Sequence, residues 1–244
     1  MSVASSHVSR SQSIATVLRD EILSGQYRTG ERLPSERDLS ERFSASRGAV
    51  REALKQLQQL GIATVAPGGA RVVPIENCNL DVLQPLLELN ELPDAKLVDE
   101  SMHMIGVLMK EAAAVAIDRA SEEQLTQAQE IIDEILACAN DSARQFEAVR
   151  KLGEFYVQVA DHLVLRLMVN GLRTSFINRM SSLNPFATLD RTSVERPIRR
   201  IRRALEARDA NELGVAMQDL NLQFRESARK SLERAEAHQS GSSK

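Results

Sequence analysis

The chain has 244 residues, of which 43% are hydrophobic, 27% are charged and 3% are aromatic, and its formal net charge is −3. This balance describes a globular protein with a sizeable core, and the scarcity of aromatic side chains favours helices over strands. The two cysteines have the spacing of neither a disulfide framework nor a zinc ribbon. No run has the length of a membrane span or the core of a signal peptide, so we expect a cytoplasmic protein that does not bind membranes.

The N-terminal residues predict a polar, disordered tail followed by a helix. Residues 1–10 are rich in serine, which favours disorder. From residue 11, the spacing of Ile14, Val17, Leu18 and Ile22 indicates one apolar helix face, and Gly25 suits the C-terminal cap.

Residues 33–61 read as two short helices separated by a tight break. Pro34 suits a first helical turn, and Ser35 with Asp38 forms an acidic variant of the capping box. The sequence Ser-Ala-Ser then interrupts the helical pattern, and its last residue, Ser46, is a natural N-cap for a second helix.

The second of these helices is apolar along one face and basic along another. Val50, Leu54 and Leu57 share the apolar face, whereas the cations are Arg47, Arg51 and Lys55. This arrangement is typical of a helix-turn-helix whose recognition helix enters the major groove of DNA. An amphipathic hairpin with a solvated arginine face is the alternative for this stretch alone.

A β-hairpin follows, with strands at residues 62–66 and 71–75 and a glycine-containing tip at residues 67–70. Gly68 and Gly69 would let the backbone come close to the minor groove, although they could equally serve only to form the turn. Residues 10–75 carry ten basic and seven acidic side chains, a charge of +3, which leaves −6 for the rest of the chain. A winged helix with a local phosphate-binding face is therefore predicted for residues 11–76.

These motifs resemble the DNA-binding domain of the GntR family of bacterial transcription regulators. The resemblance rests on the leading helix, the runs LPSERDLSERF and SRGAVREALKQLQQLG, and the hairpin. It implies binding of double-stranded DNA at a palindromic operator by a homodimer. We expect Arg47 and Arg51 to reach base edges, and Arg37 and Ser46 to hold phosphates. Gly48 and Ala49 keep the start of the recognition helix small enough for close approach.

The remaining two thirds of the chain predict an all-α antiparallel bundle, so the fold class is mostly α. Residues 77–94 read as a linker helix, residues 95–236 as an effector-binding and dimerisation domain, and residues 237–244 as a polar, disordered tail. The bundle helices are expected at residues 95–119, 121–139, 142–163, 164–179, 193–207 and 210–235.

This bundle resembles the ligand domain of the FadR subfamily of GntR regulators. Many members hold a divalent metal through an acidic residue, a histidine four residues later and two further histidines. The corresponding positions here are Leu152, Tyr156, Ile198 and Leu220, which lack the imidazole and carboxylate ligands that such a metal needs. We therefore predict no metal and no cofactor.

The loss of the metal ligands resembles the acyl-CoA-responsive branch of that subfamily. An acyl-CoA or a fatty acid is thus the leading effector candidate, with another apolar or acidic metabolite, or no ligand, as alternatives. The arginine that this branch places in the first bundle helix is replaced here by Ile105. The candidate polar groups for an effector are His103, Tyr156, His162, Arg173 and Asn178.

Catalytic motifs are missing from the sequence, so we expect no enzyme and no catalytic residues. It contains no P-loop, no dinucleotide glycine fingerprint, no G-x-S-x-G elbow and no H-E-x-x-H. The predicted function is a ligand-responsive repressor or dual regulator of a metabolic operon. A helical interaction or dimerisation protein that does not bind DNA is the alternative.

Overall fold

The computed structural model describes residues 9–138, 141–180 and 191–242. The chain divides into two compact units, Met1–Leu89 and Asn90–Lys244. In the first unit, the elements are α1 (Arg10–Leu23), α2 (Glu36–Arg42), α3 (Arg47–Gln59), β1 (Ala63–Ala66), β2 (Gly69–Val72), two 3-10 turns (Ile75–Asn77 and Leu80–Val82) and α4 (Leu83–Glu88). Helices followed by a two-stranded hairpin confirm the predicted winged helix-turn-helix.

Helix α1 starts at a capping box in which Ser9 accepts a hydrogen bond from the backbone N–H of Gln12. Its buried face contains Ile14, Ala15, Leu18 and Ile22. Val17, which we expected on this face, is exposed. The reason is geometric, because the face is centred on the row of residues 14, 18 and 22, which leaves Val17 beyond its edge.

Local hydrogen bonds fix the start of each helix in the helix-turn-helix. Ser35 caps α2 in the predicted box with Asp38, and its hydrogen bonds lower the pKa of the Asp38 carboxyl. Pro34 lies before the cap rather than in the first turn. Ser44 takes a left-handed backbone with φ +46°, which turns the chain into α3. Ser46 caps α3 as predicted and accepts from the Ala49 N–H at 3.2 Å.

The hairpin has a tighter tip than the sequence predicts. Antiparallel pairing extends to Ala66 and Gly69, so the tip consists of Pro67 and Gly68 alone, and β2 begins at the second glycine. The far edge of β2 is also bonded, since the Leu33 N–H donates to the Ala70 carbonyl at 2.9 Å and the Val72 N–H donates to the Glu31 carbonyl at 3.0 Å. The loop before α2 thus fixes the register of the wing.

The core of the first unit includes residues that we expected in a separate linker. Leu18, Leu39, Val50, Leu57 and Ile62 are almost completely buried in it, and the same cluster contains Val82, with Cys78 and Leu86 packed against it. Burial, together with the charge of Glu76, raises the pKa of the Cys78 thiol. The segment between the hairpin and Leu89 therefore belongs to this unit.

The second unit is all-helical in its described residues, which confirms the predicted class. Its helices are α5 (Ala95–Arg119), α6 (Glu122–Ala137), α7 (Ser142–Ala160), α8 (Leu163–Met180), α9 (Arg191–Glu206) and α10 (Ala210–Ser242). Helix α5 packs against α7, α8 and α10, so it lies at the centre of the unit. Aliphatic side chains such as Ile132, Leu152 and Ile198 fill the interior.

Helix α10 is longer than the sequence predicts. It runs to Ser242 and so includes residues 237–242, which we expected in a disordered tail. The sequence from Glu233 to Ala237 consists of strong helix formers, so the helix propagates past the last core residue, Leu232.

Candidate nucleic-acid interface

The start of α3 presents basic side chains while its opposite face is anchored in the core. Val50, Ala53, Leu54 and Leu57 are buried, which fixes the rotation of the helix about its axis. Arg47, Arg51 and Lys55 consequently lie on the exposed face. A helix held in this way can enter a groove without losing its own packing.

The exposed cations of α3 differ in their ion pairs. Arg51 Nε lies 2.8 Å from Glu36 Oε2 on α2, and Lys55 Nζ lies 3.5 Å from Glu52 Oε2. Within the described residues, Arg47 forms no ion pair. Exposed pairs of this kind contribute little stability, about 0–1 kcal/mol. Among the cations of α3, Arg47 is therefore the one whose charge no carboxylate of the described residues neutralises.

Gly48 and Ala49 make the first turn of α3 small. A Cβ atom built on Gly48 would meet only the Ser46 Oγ, at 3.9 Å, which is an ordinary contact. The backbone of Gly48 is helical and needs no glycine. Because the fold tolerates a side chain at this position, a requirement for glycine would come from a molecule that approaches the helix from outside.

Arg37 lies on the exposed surface of α2. Its Nε is 3.6 Å from Glu41 Oε1 and 3.9 Å from Asp38 Oδ1, and all three side chains are largely exposed. Such long pairs in water hold the guanidinium weakly, so Arg37 can turn towards a phosphate.

The two glycines of the wing tip have different structural roles. A Cβ atom on Gly68 would meet nothing within 4 Å. Gly69 has φ +109°, and its Cβ would lie 2.8 Å from Arg32 Nε. Gly69 is thus required by the hairpin, whereas Gly68 leaves room for a close approach.

Arg32 and Arg71 add positive charge at the wing, and neither was predicted from the sequence as a DNA contact. The two residues form an isolated antiparallel bridge, and the Arg71 guanidinium donates to the Gly30 carbonyl at 3.0 Å. The basic side chain of Arg32, directly before the Leu-Pro-Ser of the α2 start, was the available signal in the sequence.

The effector candidates in the second unit do not form one site. His103 lies on the exposed part of α5, where its Nδ1 is 3.1 Å from Arg225 Nη1. His162 accepts from the Leu165 N–H at 3.3 Å and so caps α8. Arg119 Nη1 donates to the Ala160 carbonyl at 2.6 Å, close to His162, whereas His103 lies sixteen residues earlier on α5, or about 24 Å along its axis. The two histidines cannot contact the same small ligand.

Two further candidates, Arg173 and Asn178, give no indication of a ligand site. Arg173 pairs with Glu154 and is about one third exposed. The side chain of Asn178 lies outside the described residues.

Tyr156 is the exception, because its polar atom is deeply buried and unpaired. The residue is 1% exposed, and its hydroxyl has no hydrogen-bond partner among the described atoms. Its ring packs edge-on against Phe155 at a centroid distance of 5.7 Å. Burial raises the pKa of the Tyr156 phenol, which keeps the proton on it. A buried hydroxyl without a hydrogen-bond partner is unfavourable to the stability of the fold.

The side chains of the second unit do not fit the metal that the subfamily resemblance implies. The positions at issue are Leu152, Tyr156, Ile198 and Leu220, all of them buried, and only the phenol carries a polar side-chain atom. Across residues 9–138, 141–180 and 191–242, no group of three or more His, Cys, Asp and Glu side chains could hold a metal ion. In that same part of the chain, every helix is too short or too polar to cross a lipid bilayer.

Comparison with known proteins supports the DNA-binding character of the first unit. The family model described as bacterial regulatory proteins, gntR family, matches residues 10–73. The chain is 30% identical to the HTH-type transcriptional regulator Mce2R of Mycobacterium tuberculosis over 207 residues, which cover 82% of this chain and 83% of that protein. It is 28% identical to the galactonate operon transcriptional repressor of Escherichia coli over 163 residues, which cover 65% and 70% of the two chains.

A solved structure shows a related fold. Lar, which is described as controlling expression of the Listeria monocytogenes agr system, superposes with a TM-score of 0.54 over 90% of this chain and 96% of Lar, at 17% identity. At this identity the likeness concerns the fold alone.

Proposed function

Since the chain belongs to the GntR family and is a DNA-binding transcription regulator rather than an enzyme, we propose that it binds a palindromic operator as a homodimer, in the cytoplasm, and controls a metabolic operon in response to a small molecule. The observation that supports sequence-specific binding is the exposed start of α3. There, a serine cap, two small residues and two arginines lie on a helix whose other face is buried.

In this proposal, the residues of α2, α3 and the wing contact different parts of the DNA. Arg47 and Arg51 reach base edges in the major groove, where an arginine pairs best with O6 and N7 of guanine. Ser46, Arg37 and the N-terminal amides of α3 hold phosphates and set the register. Gly68 brings the wing backbone to the minor groove, with Arg32 and Arg71 beside it.

Arg47→Ala tests the assignment of base contacts. We expect a loss of about 1–3 kcal/mol in binding to the selected operator, and a relaxed preference at one base pair. Operator sequences selected from a random library with each protein would show this directly. A uniform loss on all sequences would instead make Arg47 a phosphate contact.

Salt dependence tests DNA binding itself. The affinity for a duplex operator should fall steeply between 50 and 200 mM salt, by about 10³-fold or more for six phosphate contacts. Fluorescence anisotropy with a labelled duplex measures this slope, and an unrelated duplex gives the non-specific reference. Affinity that does not change with salt would favour a protein-docking role for the helix pair.

Repression of a metabolic operon is supported by the relatives. The galactonate repressor of E. coli shares 28% identity over two thirds of this chain. Deletion of the gene should raise transcription of the genes beside its operator, as measured by RNA sequencing. Lowered transcription would make the protein an activator at that promoter.

For the effector, an acyl-CoA or a fatty acid is the proposed class. The aliphatic interior of the second unit and its unpaired Tyr156 hydroxyl support a largely apolar ligand with a hydrogen-bonding group. Palmitoyl-CoA and palmitate should each be tested for a saturable rise in melting temperature and for release of operator DNA. A ligand that does neither is not the effector.

A further inference from the structure

Helix α9 is apolar along one face and basic along the other. Val194, Ile198 and Ile201 are completely buried, which fixes the rotation of the helix within the second unit. Like charges three and four residues apart destabilise a helix, so a face with several cations at this spacing is unfavourable unless anions compensate it. The opposite face of α9 carries four cations at this spacing, Arg196, Arg199, Arg200 and Arg203.

Carboxylates compensate two of these four cations. Arg199 Nη2 lies 2.6 Å from Glu195 Oε1 on the same helix. Arg200 Nη2 lies 2.8 Å from Glu212 Oε1 on α10, and the Arg200 guanidinium also pairs with Asp219. Arg200 therefore links α9 to α10, and its side chain is held in one orientation.

The other two cations of this face have no carboxylate. Within the described residues, Arg196 and Arg203 form no ion pair, and both side chains are exposed. They are seven residues apart, which places them on the same side of α9 and roughly 10 Å apart along its axis. Arg202, on a neighbouring side of the helix, pairs instead with Asp133 of α6. The unpaired cations of α9 thus lie together.

Both unpaired arginines line one cleft beside the start of α10. Its volume is about 730 Å³, within the range of about 300–1,000 Å³ that small-molecule sites occupy. Residues 90–244 carry 21 basic and 24 acidic side chains, a charge of −3, whereas the four arginines and two glutamates of the cleft give it a charge of +2. The cleft is therefore a positive site on an acidic unit.

We propose that this cleft binds a small molecule with several linked phosphate groups, either a nucleotide or a free polyphosphate. Arg196 and Arg203 hold the two ends of the phosphate chain, since a guanidinium forms bidentate pairs with phosphate oxygens. Arg199 and Arg200 lie between them. A small anion fits a cleft better than a DNA duplex does, because DNA is bound by helices that protrude into a groove. The site lies on the outer face of α9, so it is separate from the apolar effector proposed above.

Isothermal titration calorimetry of the full chain with sodium tripolyphosphate tests the site. We expect saturable binding, and the double variant Arg196→Gln/Arg203→Gln should weaken it at least about 10-fold, because two charge-assisted contacts are lost. Sodium sulfate at the same ionic strength should bind far more weakly, since it carries a single group. Sulfate binding as tight as that of tripolyphosphate would indicate only a general attraction for anions and would overturn the proposal.

The arginines of α3 provide the matched control, because they also attract phosphates. Arg47→Gln/Arg51→Gln removes the same charge as the α9 variant, and it should lose operator binding while it keeps the affinity for tripolyphosphate. The α9 variant should lose tripolyphosphate binding and keep the affinity for the operator. Its melting temperature should be unchanged or slightly raised, since the variant removes repulsion between exposed like charges. Circular dichroism melts measure this.

Titration with ATP distinguishes the two sources of linked phosphates. A site for a nucleotide gains affinity from the base and the ribose, so ATP should then bind more tightly than tripolyphosphate. Equal affinities would show that the phosphate chain alone is recognised. Either result supports the cleft, provided that the α9 variant loses both ligands.

Three results would overturn the inference and leave the proposed function intact. The first is a wild-type chain that does not bind tripolyphosphate, and the second is an α9 variant that binds it as the wild type does. The third is an α9 variant that loses operator affinity, which would make this face a DNA contact. A wild-type chain that binds tripolyphosphate but no DNA would instead contradict the proposed function alone.

Discussion

At the scale of single residues, the wing tip places two glycines in opposite situations. Gly69 has φ +109° and lies against Arg32, whereas Gly68 faces open space. Gly69→Ala should lower the free energy of unfolding by about 1–3 kcal/mol, because an alanine is strained in that conformation. Urea denaturation measures the change. Gly68→Ala is the control and should stay within about 0.5 kcal/mol of the wild type.

At Gly48, the effect of a substitution on stability can likewise be measured separately from its effect on DNA binding. Its helical backbone and open surroundings accept a methyl group, so Gly48→Ala should leave the melting temperature unchanged or slightly raised. Under the proposed contact with DNA, the same variant should weaken operator binding about 10-fold or more, as measured by anisotropy. Unchanged binding would show that the first turn of α3 does not approach the DNA backbone closely.

Tyr156 provides a prediction about the interior of the second unit. Its hydroxyl is buried without a partner, so Tyr156→Phe should keep the free energy of unfolding or raise it by about 1 kcal/mol. Chemical denaturation of the ligand-free protein is the measurement. A loss of more than about 1 kcal/mol would reveal a hydrogen bond or a bound water that stabilises the phenol.

At the scale of secondary-structure elements, the cap of α3 serves both the fold and the proposed interface. Ser46 accepts from the Ala49 N–H, so Ser46→Ala should destabilise the protein by about 1 kcal/mol. Ser46→Asp restores a capping oxygen but places a negative charge beside the expected phosphates. We expect Ser46→Asp to fold as stably as the wild type and to bind DNA much more weakly, as thermal melts and anisotropy would show.

The elements themselves were largely predictable from local patterns. The bounds of α5 agree with the prediction at both ends, because Pro93 and Asp94 mark its start and its apolar period continues to Ile117. The wing register was not predictable, since it depends on bonds from Glu31 and Leu33 to β2. Neither Val17, which lies at the edge of its helical face, nor the unpaired Tyr156 hydroxyl had a signature in the sequence.

The helix caps and exposed arginines of the candidate interface were predictable from the sequence, whereas its ion pairs were not. Ser35 and Ser46 were identified from capping patterns, and the exposed arginines of α3 from helical period. The bond between Arg51 and Glu36 joins residues fifteen positions apart on different helices, which no periodicity within one helix reveals.

At the scale of the whole molecule, the proposed homodimerisation should determine the affinity for a complete operator. Linking two recognition helices raises the effective concentration of the second one, which contributes about 10²–10⁴-fold in avidity. The wild-type protein should therefore bind a full palindrome about 10²–10⁴-fold more tightly than a half-site, in anisotropy titrations with both duplexes. Equal affinity for the two duplexes would show that a single copy of the chain binds the operator.

The ion pair between Arg51 and Glu36 has a consequence for how the protein would search a genome. A guanidinium already matched with a carboxylate attracts phosphates less, so non-specific binding to the vast excess of other sequences is weakened. At the operator, a guanine edge can replace the carboxylate and recover the energy of the lost pair. The ion pair would thus shorten the residence time at non-specific sites and leave the residence time at the operator unchanged. This increases the ratio of specific to non-specific occupancy.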